Sequence, residues 1–192
     1  MNHSPSSHAV TFDLEHGQVR LAGDDSGRAV LVPVAALIAL VEAAGVEASR
    51  ELGRAIGRQL GARLAARSPL RALSLEAAMT EIASELAAVG LGALFLERWG
   101  RALVVVVDGA PRGEAGTSPA IVDALIGATL EALLSFVTTR TVACLPIARD
   151  GERLRILVAS PARAEQATRW LQDGVSWGEL ISRLHTPHAE GT

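Results

Sequence analysis

The sequence predicts an α+β fold, helix-rich, with helices packed on an antiparallel sheet of hairpins. Three observations carry that prediction. Apolar residues recur at helical spacing over several long stretches, and β-rich runs come in pairs around tight-turn residues. In addition, two of the helical segments carry rows of small residues that suit close packing.

At the start, Val10, Phe12 and Leu14 alternate, His16-Gly17 makes a turn, and Val19 and Leu21 resume the alternation, giving two short strands. GDDSG at 23–27 is a second turn and RAVLV at 28–32 a third strand. Pro33 suits the first turn of a helix over VAALIALVEAAG, which Gly45 separates from the next. SPLRAL at 68–73 forms a break, and Ser74 caps a helix with Leu75, Met79, Ile82, Leu86 and Val89 on one face, ending at Gly90. LGALFLERWGRALVVVVDG reads as a hairpin turning at Trp99-Gly100-Arg101, with the VVVV run as a buried central strand.

A loop from Asp108 to Thr117 leads to Ser118-Pro119, which caps and starts a long helix to Val137 with Ala120, Ala124, Ala128 and Ala132 in a row. TRTVACLPIA and ERLRILVAS flank Arg149-Asp150-Gly151 as a second hairpin. Ser160-Pro161 starts a helix to Gln172, and Ser176-Trp177-Gly178-Glu179 is a capping box for a last short one. This layout suggests a flexible tail at 1–9, N-terminal strands at 10–32, a core α+β region at 33–160, and C-terminal helices and tail at 161–192, forming one globular unit.

The stretch ELGRAIGRQLGARLAAR sets Gly53, Gly57 and Gly61 four apart inside a helix. Each glycine costs about 1 kcal/mol of helix propensity relative to alanine, so a non-local contact must repay it. The three stack into a groove beside a ridge of Leu52, Ile56, Leu60 and Leu64. The row Ala120 to Ala132 is the internal candidate to fill the groove. A second copy is the favoured one, because Glu51, Arg54 and Arg58 rim it as charges rim a subunit interface. Gly53, Gly57, Gly61, Ile56, Arg54 and Arg58 are thus the candidate interface.

Composition narrows function. Eighteen basic against 21 acidic residues give a net charge of -3, which provides no nucleic-acid footprint. All the basic residues are arginines, so lysine chemistry and a Walker-type phosphate loop are excluded. A GxSxG elbow is missing, and Gly90-Leu91-Gly92 follows a helix, the reverse of a dinucleotide-binding context. The histidines lie at the chain ends without carboxylate or thiol partners, so no metal or cofactor is expected. Asp123 and Glu131 share a helix face and read as a solvated stripe rather than an acid/base pair. The lone cysteine, Cys144, fits a reducing compartment with the cytoplasm as default, and lies in an apolar strand where an inert buried thiol is expected. The N-terminus lacks the pattern of a secretory signal, and the arginine-interrupted glycine helix is no membrane span.

VEASRELGRAIGRQLGARL, SLEAAMTEIASELAAVGLGALFLERWGRALVVVV and SPAIVDALIGATLEALLSFVTTRTVAC resemble, over residues 46–160, the vinyl-reductase-type domains related to transport protein particle (TRAPP) subunits. The resemblance implies a glycine-bearing helix and a small-residue helix on an antiparallel sheet, in members that are commonly dimers, scaffolds or small apolar-ligand binders. Vinyl-reductase-type domains often carry paired cysteines around the last hairpin, whereas CLPIARDGERLRILVA holds only Cys144, so no metal ligand is implied. TRAPP relatives can hold an acyl chain through a cysteine, which makes Cys144 the candidate ligand or acyl site. The helix and the following VGLGALFLE also resemble the non-catalytic, oligomeric accessory component of bacterial cellulose synthase. The expected function is therefore a non-enzymatic, homodimeric scaffold or adaptor, with a small apolar-ligand receptor and an accessory component of cellulose synthesis and export as alternatives.

Overall fold

A computed structural model of the chain describes residues 10–21, 28–67, 74–99, 102–113 and 119–185. Along the chain run β1 (Val10–Asp13), β2 (Gln18–Leu21), β3 (Arg28–Ala29), α1 (Val34–Ala44), α2 (Val46–Arg67), α3 (Leu75–Ala88), β4 (Ala93–Trp99) and β5 (Ala102–Asp108). They are followed by α4 (Pro119–Thr138), β6 (Ala143–Asp150), β7 (Arg153–Ala159), α5 (Pro161–Gln172) and α6 (Trp177–His185). The predicted GDDSG turn, the SPLRAL break, the Gly100-Arg101 turn, the Ser118 cap and both tails lie outside the described residues.

The α+β layout is as predicted: β4–β7 form an antiparallel sheet in the order β4-β5-β7-β6, and β1–β3 form a separate small meander. The second hairpin turns over Gly151-Glu152, directly after Asp150, and Gly151 takes a φ of 62° that a side chain disfavours. Ser74 accepts the Ala77 N–H at 3.2 Å and Ser176 accepts the Glu179 N–H at 3.3 Å, so both predicted caps form. The third strand is shorter than RAVLV. Only Arg28 and Ala29 pair with β2, and Val30, Leu31 and Val32 continue past the ladder with exposed side chains.

β5 occupies the centre of the large sheet, and Val104 to Val107 are all 1 % exposed or less. Alternation sends Val105 and Val107 to one face and Val104 and Val106 to the other. The first face joins Leu60, Leu64, Ile82, Leu86, Ile126, Leu130 and Leu133 from α2, α3 and α4 in the main core. Ala167 of α5 and Leu180 and Ile181 of α6 cover the second face. A run of four valines is needed because both faces of this strand are covered.

The glycine groove closes on α4. A Cβ built on Gly53 would lie 2.4 Å from the Leu125 carbonyl oxygen, one on Gly57 would lie 2.2 Å from that of Thr129, and one on Gly61 would meet the Phe136 ring at 2.9 Å. These separations leave no room for any side chain, and they let the two backbones approach until glycine Cα–H groups face carbonyl oxygens. Ala128 and Ala132 supply the small surface opposite. The interface expectation is corrected accordingly: Gly53, Gly57 and Gly61 are buried inside their own chain, and Ile56 packs against the main core. Arg54 stays partly accessible, paired with Glu51 and Glu47, and Arg58 is exposed. α4 is, among the described residues, the one helix long and apolar enough to cross a bilayer. It lies between α2 and the sheet with more than half of its length buried, as a core helix does.

Two polar ties lock the helices. At the α2–α3 seam, buried Arg63 meets the fully buried Glu85 carboxylate at 3.1 Å, and Arg67 pairs with Glu85 and with Glu81. Charges removed from water to this degree are stable only while paired. At the α1–α2 corner, buried Ser49 donates its hydroxyl to the Gly45 carbonyl at 2.9 Å.

Gly57→Ala should lower stability by about 1–3 kcal/mol from overpacking, despite the gain in helix propensity. Gly57→Leu should abolish the cooperative thermal transition in circular dichroism. An unchanged or raised midpoint for the alanine variant contradicts the packing. Glu85→Ala should cost about 3–5 kcal/mol in urea denaturation by leaving two arginines facing a cavity without their carboxylate.

Candidate functional site

Two clefts flank the outer edge of β6, where α4 and α5 approach it from opposite sides. α4 comes close because its residue 127 is glycine: a Cβ there would stand 3.1 Å from the Cys144 carbonyl oxygen and 3.2 Å from Pro146 Cδ. On one side of Glu131 a cleft of about 530 Å³ is lined by Val46, Arg50 and Arg54 of α2, the Ala120–Glu131 face of α4, Ala143 to Pro146, and Ala164. On the other side a cleft of about 540 Å³ runs between Thr141–Ala143 and Pro161–Arg169. Both share Glu131, Ala143 and Ala164.

The charged lining is already engaged. Asp123 receives Arg149 Nε at 2.8 Å and Nη2 at 2.5 Å, a two-pronged pair that ties α4 to β6. Glu131 Oε2 accepts the backbone N–H of Cys144 at 3.4 Å. Asp123 and Glu131 line one cleft, yet each has a separate structural partner and the two do not form an acid/base couple. Arg50 and Arg54 are ion-paired to Glu47 and Glu51 on their own helix.

The Glu131 contact also guards an edge. Cys144 and Pro146 lie two apart, so their backbone nitrogens face the same side of β6. The first is capped by Glu131, the second carries no hydrogen, and the ladder with β7 breaks register between Pro146 and Ala148. β6 therefore offers little to an incoming strand.

Cys144, the candidate ligand or acyl site, sits at the wall of the first cleft but is 7 % exposed. Burial first, and then the nearby Glu131 carboxylate, push its thiol far above the usual range. The thiolate, which is the nucleophilic form, is therefore scarce at neutral pH. No group of three or more His, Cys, Asp or Glu among the described residues is arranged to hold a metal ion.

Apolar surface lies elsewhere. Phe12, Leu14, Val30, Leu31, Val32, Val34 and Leu40, which belong to the small meander, the segment after it and α1, are all exposed. On the large sheet, Phe95, Leu96 and Trp99 of β4 are exposed. Trp99 meets Trp177 of α6 edge-on with centroids 5.5 Å apart, and Arg155 lies over the Trp177 ring at 5.2 Å. Sequence reasoning foresaw none of the Arg149–Asp123, Glu131–Cys144 or Arg63–Glu85 contacts. Their members are 26, 13 and 22 residues apart in sequence, so no local pattern joins them.

No protein-family model matches the chain, and no curated protein matches it.

In the folded protein Cys144 should resist a charged disulfide reagent at pH 8 and react only on denaturation. Rapid native labelling contradicts its burial. Cys144→Ala should lower stability by about 1 kcal/mol, the ordinary cost of deleting a small buried group.

Proposed function

We propose that this chain is a non-enzymatic, homodimeric scaffold or adaptor module with a TRAPP-subunit-like architecture. The observation that supports it is the apolar surface of the N-terminal segment. Val30 is 82 % and Leu31 62 % exposed, and among the described residues no strand pairs with them. Exposed apolar residues in succession, here Val30, Leu31 and Val32, are characteristic of sites of association. Asp123 and Glu131, the carboxylates of the first cleft, are held by structural partners, which favours a binding role over a reaction.

A second reading, a receptor for a small apolar ligand, draws support from the first cleft. Its volume of about 530 Å³ falls in the range of ligand pockets, and Ala120, Ala124, Ala128, Ala143 and Ala164 give it smooth apolar walls.

Light scattering after size exclusion should give a mass of twice the 20.0 kDa chain, falling on dilution. A mass of one chain throughout contradicts the scaffold reading. Native mass spectrometry that finds a co-purifying molecule of fixed mass on each chain supports the receptor.

A further inference from the structure

The two edges of the large sheet are treated differently by the sequence. β6 is blocked by the Glu131 cap, Pro146 and a register break. β4 has none of these. Its seven residues pair with β5 without interruption from Ala93↔Asp108 to Trp99↔Ala102, and it contains no proline. Among the described residues no strand lies on its other side. Phe95 and Leu96 project to opposite faces and are 52 % and 36 % exposed, so an occupant must cover the strand from both sides at once. An unpaired row of backbone N–H and C=O groups specifies that occupant as another strand.

We infer that β4 is the dimer seam: it pairs antiparallel with β4 of a second copy about a two-fold axis at Leu96, joining two four-stranded sheets into one. This inference rests on the homodimer reading above. An axis perpendicular to the sheet keeps each face continuous, and antiparallel identical strands satisfy each other's ladder under that symmetry. Charge selects the register. Centred on Leu96, all seven residues find a partner: Leu96 faces the partner's Leu96, Phe95 faces the partner's Glu97, and Leu94 faces the partner's Arg98. Centring on Glu97 or on Arg98 would set like charges directly opposite, and would also shorten the ladder. One Glu and one Arg leave the strand neutral, so a copy of itself is not repelled.

The test uses the full chain. Leu96→Lys and Leu96→Glu each place like charges across the axis, and each should raise the dimer dissociation constant by about 100-fold or more. Both variants should keep a single cooperative thermal transition, with a midpoint that no longer rises with protein concentration as that of the dimeric wild type does. Mixed in equal amounts they should re-form a dimer containing one of each. In the wild type, hydrogen exchange at the β4 amides should slow as protein concentration rises. This readout stands even where a variant fails to fold. A wild-type dimer that both variants leave intact, or whose β4 amides exchange independently of concentration, overturns the seam while the homodimer reading survives. A wild type that remains a single chain overturns both, and makes the β4 edge a site for a strand of another protein.

Discussion

The contact between α2 and α4 is the constraint on which the rest of the fold depends. Gly53 and Gly57 on one helix meet backbone and alanine side chains on the other, and Gly61 leaves room for the Phe136 ring, so the helix axes approach far more closely than leucine-bearing helices do. That approach sets the height of α4 above the sheet. It presents Ile126, Leu130 and Leu133 to the inner face of β5 and β7, and brings Gly127 against β6. About 3 kcal/mol of lost helix propensity is offset here by dispersion and by the burial of Leu60, Leu64 and their neighbours. Three successive glycines at one spacing are required because two long helices touch over several turns.

From this seam the other features follow in order. α4 held low against β6 allows Asp123 to reach Arg149 and Glu131 to reach the Cys144 N–H. Those contacts explain why Asp123 and Glu131 are engaged within the fold, and why that edge is closed. The opposite edge receives no such help. α3 packs behind β4 on the inner face, α6 reaches it through the Trp99–Trp177 contact, and among the described residues no strand pairs with its outer side. The two edges of the sheet are thus unlike, one guarded and one without a guard.

Local signals made the elements legible. Proline at helix starts, Ser74 and Ser176 as caps, Asp150-Gly151 in the last hairpin and the VVVV run each specify a nearby backbone geometry, and each element forms where those residues place it. The strand expected over Arg28 to Val32 is cut short because its apolar residues run past the end of β2 and lose their ladder partners. The glycine stripe showed that a close contact exists but not with what. Small-residue rows look the same whether the other helix belongs to the same chain or to a copy, and of the two arginines that suggested a subunit rim, Arg54 pairs with Glu47 and Glu51 on its own helix while Arg58 is exposed. The burial of Arg63 had no signal in the sequence: it is paired with Glu85 on the next helix, which periodicity alone does not align with it.

Native-state hydrogen exchange along α2 and α4 tests the internal seam most directly. The account predicts that the amides of Gly53 to Gly61 and of Leu125 to Leu133 exchange last and together through global unfolding, and that they remain the last to exchange in the dissociated Leu96→Lys chain. Exchange of these amides by separate local openings, or loss of their protection once the chain is a monomer, would place the glycine contact between chains and contradict the account.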